Sequence, residues 1–325
     1  MSRLIRLALI LPFVIALAGC NRSRDAELMA KSRRVFGPLP PVTPARGDTP
    51  QLVNLGRQLY FSKDLSVTRT QSCDSCHPIE ATRSGADGEP TSPGAHGTPG
   101  RRNSPTVLNT DLHFALFWDG RAKTLEEQAA GPMMNPAEMA MPDAAAVAER
   151  LRHPSSFDAG LFHSAFPNDP DPFTLDHAAR AIAAFERTLR THDRFDDFQS
   201  GNARALTRKE KLGLDRFMAL GCTSCHNGPT IGARQFQRIG IVNPYPTTDR
   251  GRAELTENAS DEYVFKVPSL RNAALTAPYF HDGKVRDLPT AVEKMAWHQL
   301  GMKIKPQDRD AIVAFLTSLS DVKRM

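Results

Sequence analysis

Four of the five cysteines in this chain fall into two copies of one pattern, Cys73-Asp74-Ser75-Cys76-His77 and Cys222-Thr223-Ser224-Cys225-His226. Two thiols on one tight turn can add across the two vinyl groups of a porphyrin, and the adjacent histidine can reach the iron. The spacing therefore reads as c-type haem attachment, with Cys73, Cys76, Cys222 and Cys225 as thioether ligands and His77 and His226 as proximal ligands. Zinc held by two CxxC pairs would not require a histidine after both. A thioredoxin-type redox pair would need a βαβ context, and none is visible. Disulfides suit an exported chain, but adjacent CxxC pairs make poor partners for them.

Two covalent haems call for two domains, and 325 residues suffice for two of ordinary size. A chain that is 40% hydrophobic and 24% charged is not a polytopic membrane protein. The formal charge of +5 does not indicate nucleic acid. Arg3 and Arg6 lie in a leader, the other cations are scattered among acids without a basic stripe, and haem propionates would add negative charge.

The leader is MSRLIRLALILPFVIALAGC. Its apolar run, Leu7 to Ala18, is short for a membrane span and suited to a signal sequence. Leu17-Ala18-Gly19-Cys20 resembles the bacterial lipobox, which implies lipidation at Cys20 and a periplasmic body anchored to a bacterial membrane, the outer one as first expectation. The alternative is an ordinary secretory signal with Cys20 incidental.

The expected divisions are residues 1–20 signal, 21–48 polar tether, 49–203 first haem domain and 204–325 second haem domain. Leu52, Leu55 and Leu59 have helical spacing. Thr124 and Asp143 are expected to cap helices. Leu175, Ala178, Ile182, Phe185 and Leu189 share one helical face. Thr207 and Glu210 have capping-box spacing, and Pro306 stands near the first turn of the closing helix. The stretch 232–267 is loop-rich, with room for short strands. Each half repeats helix, CxxCH, loop and further helices, an internal duplication. The expected fold is mainly α, two cytochrome c-like domains each wrapping one covalently bound haem c.

Beyond the haem motifs the chain contains RNSPTVLN, FWDGRAKTLEEQAAGP, NPAEM, FKVPSLRNAALTAPYFHDG and AVEKMAWHQLG in this order. With these it resembles the bacterial di-haem cytochrome c peroxidase family, which includes the MauG-type enzymes, over roughly residues 50 to 320. The resemblance implies peroxide reduction at the N-terminal haem and electron entry at the C-terminal haem, with Met295 as the latter's second axial ligand. It gives Trp118 a place between the haems and puts Gln128 and Glu138 in the distal pocket. It gives Asn103, Thr276 and Pro278 to one calcium ion between the domains. The implied partners are hydrogen peroxide and a small exported cytochrome c or copper protein (a cupredoxin), and a homodimer is compatible with the family. The chemistry agrees. A methionine ligand raises a haem's potential, a carboxyl in a dry pocket can move a proton between peroxide oxygens, and calcium takes oxygen ligands. His298 and Met302 share the helical face of Met295 and compete with it as ligands.

His96 stays open. Many members of the family close the peroxidatic iron with a loop histidine, but counting back from Arg102-Asn103 that position falls on Ala95. A slip of one residue in a glycine-rich loop would bring His96 to the iron as sixth ligand. Otherwise the iron is open, and His96 is an ordinary loop residue. Three functions are compared: a cytochrome c peroxidase, a MauG-type oxidase of protein side chains, and a non-catalytic electron carrier. MauG-type enzymes typically have tyrosine where this chain has Met295, and a carrier has no use for Glu138.

Overall fold

The computed structural model describes residues 11–80, 84–321 and 323, with side chains from residue 23 onward. The start of the signal segment (residues 1–10) and the side chain of Cys20 lie outside the described residues.

Both halves are organised by one kind of helix crossing. In the first, the Pro50–Phe61 helix lies across Leu175–Glu186; in the second, Arg208–Ala219 lies across Pro306–Ser318. Each crossing is close because a glycine stands at the contact. A Cβ at Gly56 would fall 1.8 Å from Ala181 O, and one at Gly213 would fall 1.9 Å from Ala311 O. Phe185 and Phe315 flank the two contacts in the same way. The correspondence of 56/181/185 with 213/311/315 is the internal duplication in three dimensions.

The caps expected at Thr124, Asp143 and Thr207 are present, and Thr49, Thr174 and Asp287 add three more. Each accepts a backbone N–H in the first turn of its helix. Such caps each contribute about 1 kcal/mol. Thr207 and Glu210 form the reciprocal box, the Thr207 N–H donating to Glu210 Oε2 at 2.7 Å. Pro306 opens the closing helix, where its missing N–H costs nothing. The loop-rich 232–267 stretch carries one antiparallel ribbon, Phe236–Arg238 with Val264–Lys266, in the register Phe236↔Lys266.

Two cores result. Leu52, Leu55, Leu59, Ile182 and Phe185 belong to the first, and Leu214, Phe217, Ile312 and Phe315 to the second. The second core extends further back along the chain than expected. Phe195 and Phe198, on the Arg194–Gln199 helix, are fully buried in it although they precede residue 203. So does part of the segment expected to be a tether. The Leu11–Phe36 helix buries Met29 and Phe36 against the same core, Lys211 pairs with Asp25, and Arg33 donates to Gln199 O. Only 37–48 lacks a helix, and it too is fastened, by Arg190 to Pro40 O and by Arg187 to Asp48. Sparse apolar residues in a polar stretch are enough to dock a helix when a partner surface awaits them. No described helix is long and apolar enough to cross a membrane.

Ion pairs tie both the Arg194–Gln199 segment and the first half to the second half. Arg271, fully buried, reaches Asp193 at 2.6 Å and Asp196 at 2.8 Å and donates to Pro229 O just past the second haem motif. Arg102 joins Asp119 of the first half to Asp249 of the second, each at 2.7 Å.

Candidate haem and peroxide site

One cavity of about 610 Å³ runs through both halves, lined by all four paired cysteines, His77 and His226. The two motifs are built alike. The His77 N–H closes onto Cys73 O at 2.9 Å, and the His226 N–H onto Cys222 O at 3.0 Å. His77 Nδ1–H donates to Gly85 O and His226 Nδ1–H to Ile231 O, both at 3.3 Å. A carbonyl partner fixes the proton on Nδ1 and leaves Nε2 as a lone-pair donor for a metal. Burial lowers the pKa of both rings, His226 to about 4, so they are neutral at pH 7. Tyr60 Oη donates to His77 O at 2.6 Å and steadies the first motif. None of these four cysteines is in a disulfide. Paired thiols and a neutral imidazole on one apolar wall, twice over, fit two haem c groups.

On the N-terminal side the cavity is also lined by Gln128 and Glu138. Glu138 lies in the turn that follows the Leu125–Met134 helix, and its Oε1 accepts from Asn135 Nδ2 at 2.7 Å. Burial raises its pKa, opposed by the charge of Arg121 and by the Asn135 bond.

His96 is placed away from this cavity. Residues 94–98 form a closed turn, with the Gly94 N–H donating to Thr98 O and the Gly97 N–H to Gly94 O, both at 2.9 Å. Ala95 is inside, its N–H donating to Glu138 O at 2.6 Å, whereas His96 is exposed and does not line the cavity.

Trp118 lines the cavity between the halves. Its Nε1–H donates to Asn103 O at 2.8 Å, and its ring meets Phe265 and His281 edge-on at 6.5 and 6.4 Å. In the C-terminal half Met295 and Met302 both line the cavity. His298 does not: its Nδ1 bonds Asn243 O at 2.8 Å and its ring packs on Tyr245. Asn103, Thr276 and Pro278 all line the cavity. Asn103 Nδ2 donates to Glu89 O, which leaves its Oδ1 as an oxygen donor. Among the described residues no group of three or more His, Cys, Asp or Glu is arranged for a metal ion, so a calcium ion would depend on carbonyl and amide oxygens.

The chain is 42% identical to cytochrome c551 peroxidase of Pseudomonas aeruginosa, over 96% of this chain and 90% of that protein. The chain belongs to the di-haem cytochrome c peroxidase family. The description "di-haem cytochrome c peroxidase" matches residues 50–204, and "cytochrome c" matches 211–320. A second family member, cytochrome c551 peroxidase of Nitrosomonas europaea, is 40% identical over 90% of this chain and 87% of its own. The methylamine utilization protein MauG of Paracoccus denitrificans is 35% identical over 79% of each. The crystal structure of a MauG-like protein associated with microbial copper homeostasis superposes with a TM-score of 0.76 at 28% identity, over 88% of this chain and 93% of that one.

Three residues missed from the sequence also line the family cavity. Glu186 is fully buried, its pKa pushed to about 8 by burial. It stands at the end of the Leu175–Glu186 helix where the duplicated half has Leu316, an offset that aligning the two halves would have exposed. Lys266 and His113 are the others. Their only local signal is a charge within the apolar Val264–Lys266 strand and a histidine just before FALFWDG.

Proposed function

We propose that this chain is a cytochrome c peroxidase that converts hydrogen peroxide, two electrons and two protons into two waters. The observation that carries the reading is Glu138, a carboxyl in the wall of the cavity that holds Cys73, Cys76 and His77, its pKa raised by burial. Haem c in the two halves would supply the iron at which the O–O bond breaks and the store of electrons that feeds it. Glu138 takes a proton from one peroxide oxygen and delivers it to the other, with Asn135 fixing its orientation. Gln128, a second polar group on the same wall, orients peroxide by hydrogen bonding.

His77 would hold the N-terminal iron. His226 and Met295 would hold the C-terminal iron, a ligand pair that raises a haem's potential and suits electron entry from a small cytochrome c or cupredoxin. Trp118, bonded to Asn103 and packed on Phe265, spans the wall between the halves and couples them electronically. Met295, in place of the tyrosine typical of MauG-type enzymes, favours the peroxidase over a side-chain oxidase. Asn103, Thr276 and Pro278 would hold calcium through oxygen ligands. Lipidated Cys20 anchors the chain on the periplasmic side of a bacterial membrane, and a homodimer is compatible with the family.

The test is peroxide-dependent oxidation of a reduced donor cytochrome by the di-haem protein and by Glu138→Gln. The variant should turn over roughly 10²- to 10⁴-fold more slowly with both haem spectra intact. Near-normal turnover would remove Glu138 from the chemistry.

A further inference from the structure

Lys266 ends the Val264–Lys266 strand at 6% exposure, with its backbone N–H donating to Trp118 O at 2.7 Å. Among the described residues no carboxylate lies within ion-pair distance of its ammonium. Its side-chain contact is His113 Nδ1 at 3.4 Å. An ammonium group only donates, so His113 Nδ1 must accept and the ring proton must lie on Nε2. That Nε2 is buried and has no hydrogen-bond partner among the described residues. Both side chains line the large cavity. Two buried donors, one of them cationic, therefore face a space with no protein acceptor. Such an arrangement is costly unless whatever fills the cavity brings an anion. Burial lowers the Lys266 pKa to about 8, which still leaves it cationic at pH 7.

Haem carries two carboxylates at one edge, and the position of the pair indicates which haem is concerned. Lys266 is two residues before Pro268, whose carbonyl faces the His226 ring together with that of Ile231. The Phe114 N–H, next to His113, donates to Ala233 O, and the Ala233 N–H donates to Val267 O, next to Lys266. Both residues thus flank the shell around His226.

We propose that Lys266 Nζ and His113 Nε2 together bind a propionate of the C-terminal haem, so that one carboxylate is held by both halves of the protein. This rests on the two-haem reading. The propionate joins a strand of the second half to the segment of the first that leads into Trp118, and the cation favours the reduced state of that haem.

The experiment is a spectroelectrochemical titration of both haems in the full-length holoprotein, after a count of haems per chain. The C-terminal haem is identified as the one whose potential responds to Met295→His. Lys266→Met should lower its midpoint potential, Lys266→Arg should keep it near the wild-type value, and the N-terminal haem should not move. His113→Phe, which keeps a ring but removes the donor, should shift the propionate bending band in the resonance Raman spectrum of the reduced protein. If Lys266→Met fails to load two haems, the His113→Phe spectrum decides, and an unchanged propionate band there would overturn the assignment. Two haems per chain with unchanged potentials in Lys266→Met, or a shift confined to the N-terminal haem, would also overturn it. Fewer than two haems in the wild type would instead defeat the two-haem reading itself.

Discussion

Gly56→Ala would drive a methyl group into the crossing on which the N-terminal half is built. The added Cβ would lie 1.8 Å from Ala181 O and 2.5 Å from Ala181 C, where non-bonded carbon atoms settle at about 3.5–4.0 Å. The Pro50–Phe61 and Leu175–Glu186 helices would have to separate by well over an ångström. Overpacking of this kind costs about 1–3 kcal/mol, occasionally more. Alanine's better helix propensity returns about 1 kcal/mol. The net expectation is a loss of up to about 2 kcal/mol, or a few degrees in Tm for a domain of this size. Gly213→Ala meets Ala311 O at 1.9 Å and should cost a similar amount. The two variants should differ in which haem they disturb, because the first crossing backs Cys73 and the second backs Cys222. Denaturant unfolding followed by absorbance of each haem would measure both effects. A Gly56→Ala protein as stable as wild type, with unchanged spectra, would refute the close-crossing reasoning.

Other perturbations address the site. Met295→His should lower the potential of the C-terminal haem, since imidazole replaces a thioether; an unchanged redox titration would transfer the ligand role to Met302, the other methionine on that wall. His96→Ala should leave both the paramagnetic resonance spectrum of the oxidised protein and its turnover unchanged, because His96 faces away from the cavity; loss of a low-spin signal would mean that the loop carries His96 to the iron. Glu186 binds its proton more tightly in the folded state, with a pKa of about 8, than in the unfolded chain, near 4.5. Between these values the native state holds the extra proton, so this group makes stability fall as pH rises through that window. Glu186→Gln should flatten that part of the stability–pH profile, and parallel profiles for the two proteins between pH 5 and 8 would contradict the assignment.

Local signals carried much of the fold. The caps at Thr124, Asp143 and Thr207 lie where hydrogen-bonding side chains precede apolar periodicity, and these depend on only four or five consecutive residues. The haem motifs are equally local. What the sequence concealed depends on distant contacts. Met29 and Phe36 are isolated apolar residues in a polar stretch, and only the surface around Phe217 and Phe315 gives them a role. The Arg194–Gln199 helix precedes the polar break at residue 203, yet Phe195 and Phe198 pack into the second core. Lys266 and His113 are 153 residues apart, and neither is unusual until they meet. At the 94–98 turn the Ala95 N–H bonds Glu138 O while its neighbour His96 is exposed, a difference of one residue that the local sequence does not display.

The central claim is tested most directly by anaerobic titration of the fully reduced holoprotein with hydrogen peroxide. If this cavity reduces peroxide with one electron from each half, a single equivalent should oxidise both haems completely, and added reduced donor should then be consumed at two equivalents per peroxide. Two reduced haems that persist in the presence of peroxide would contradict the account and leave an electron carrier in its place.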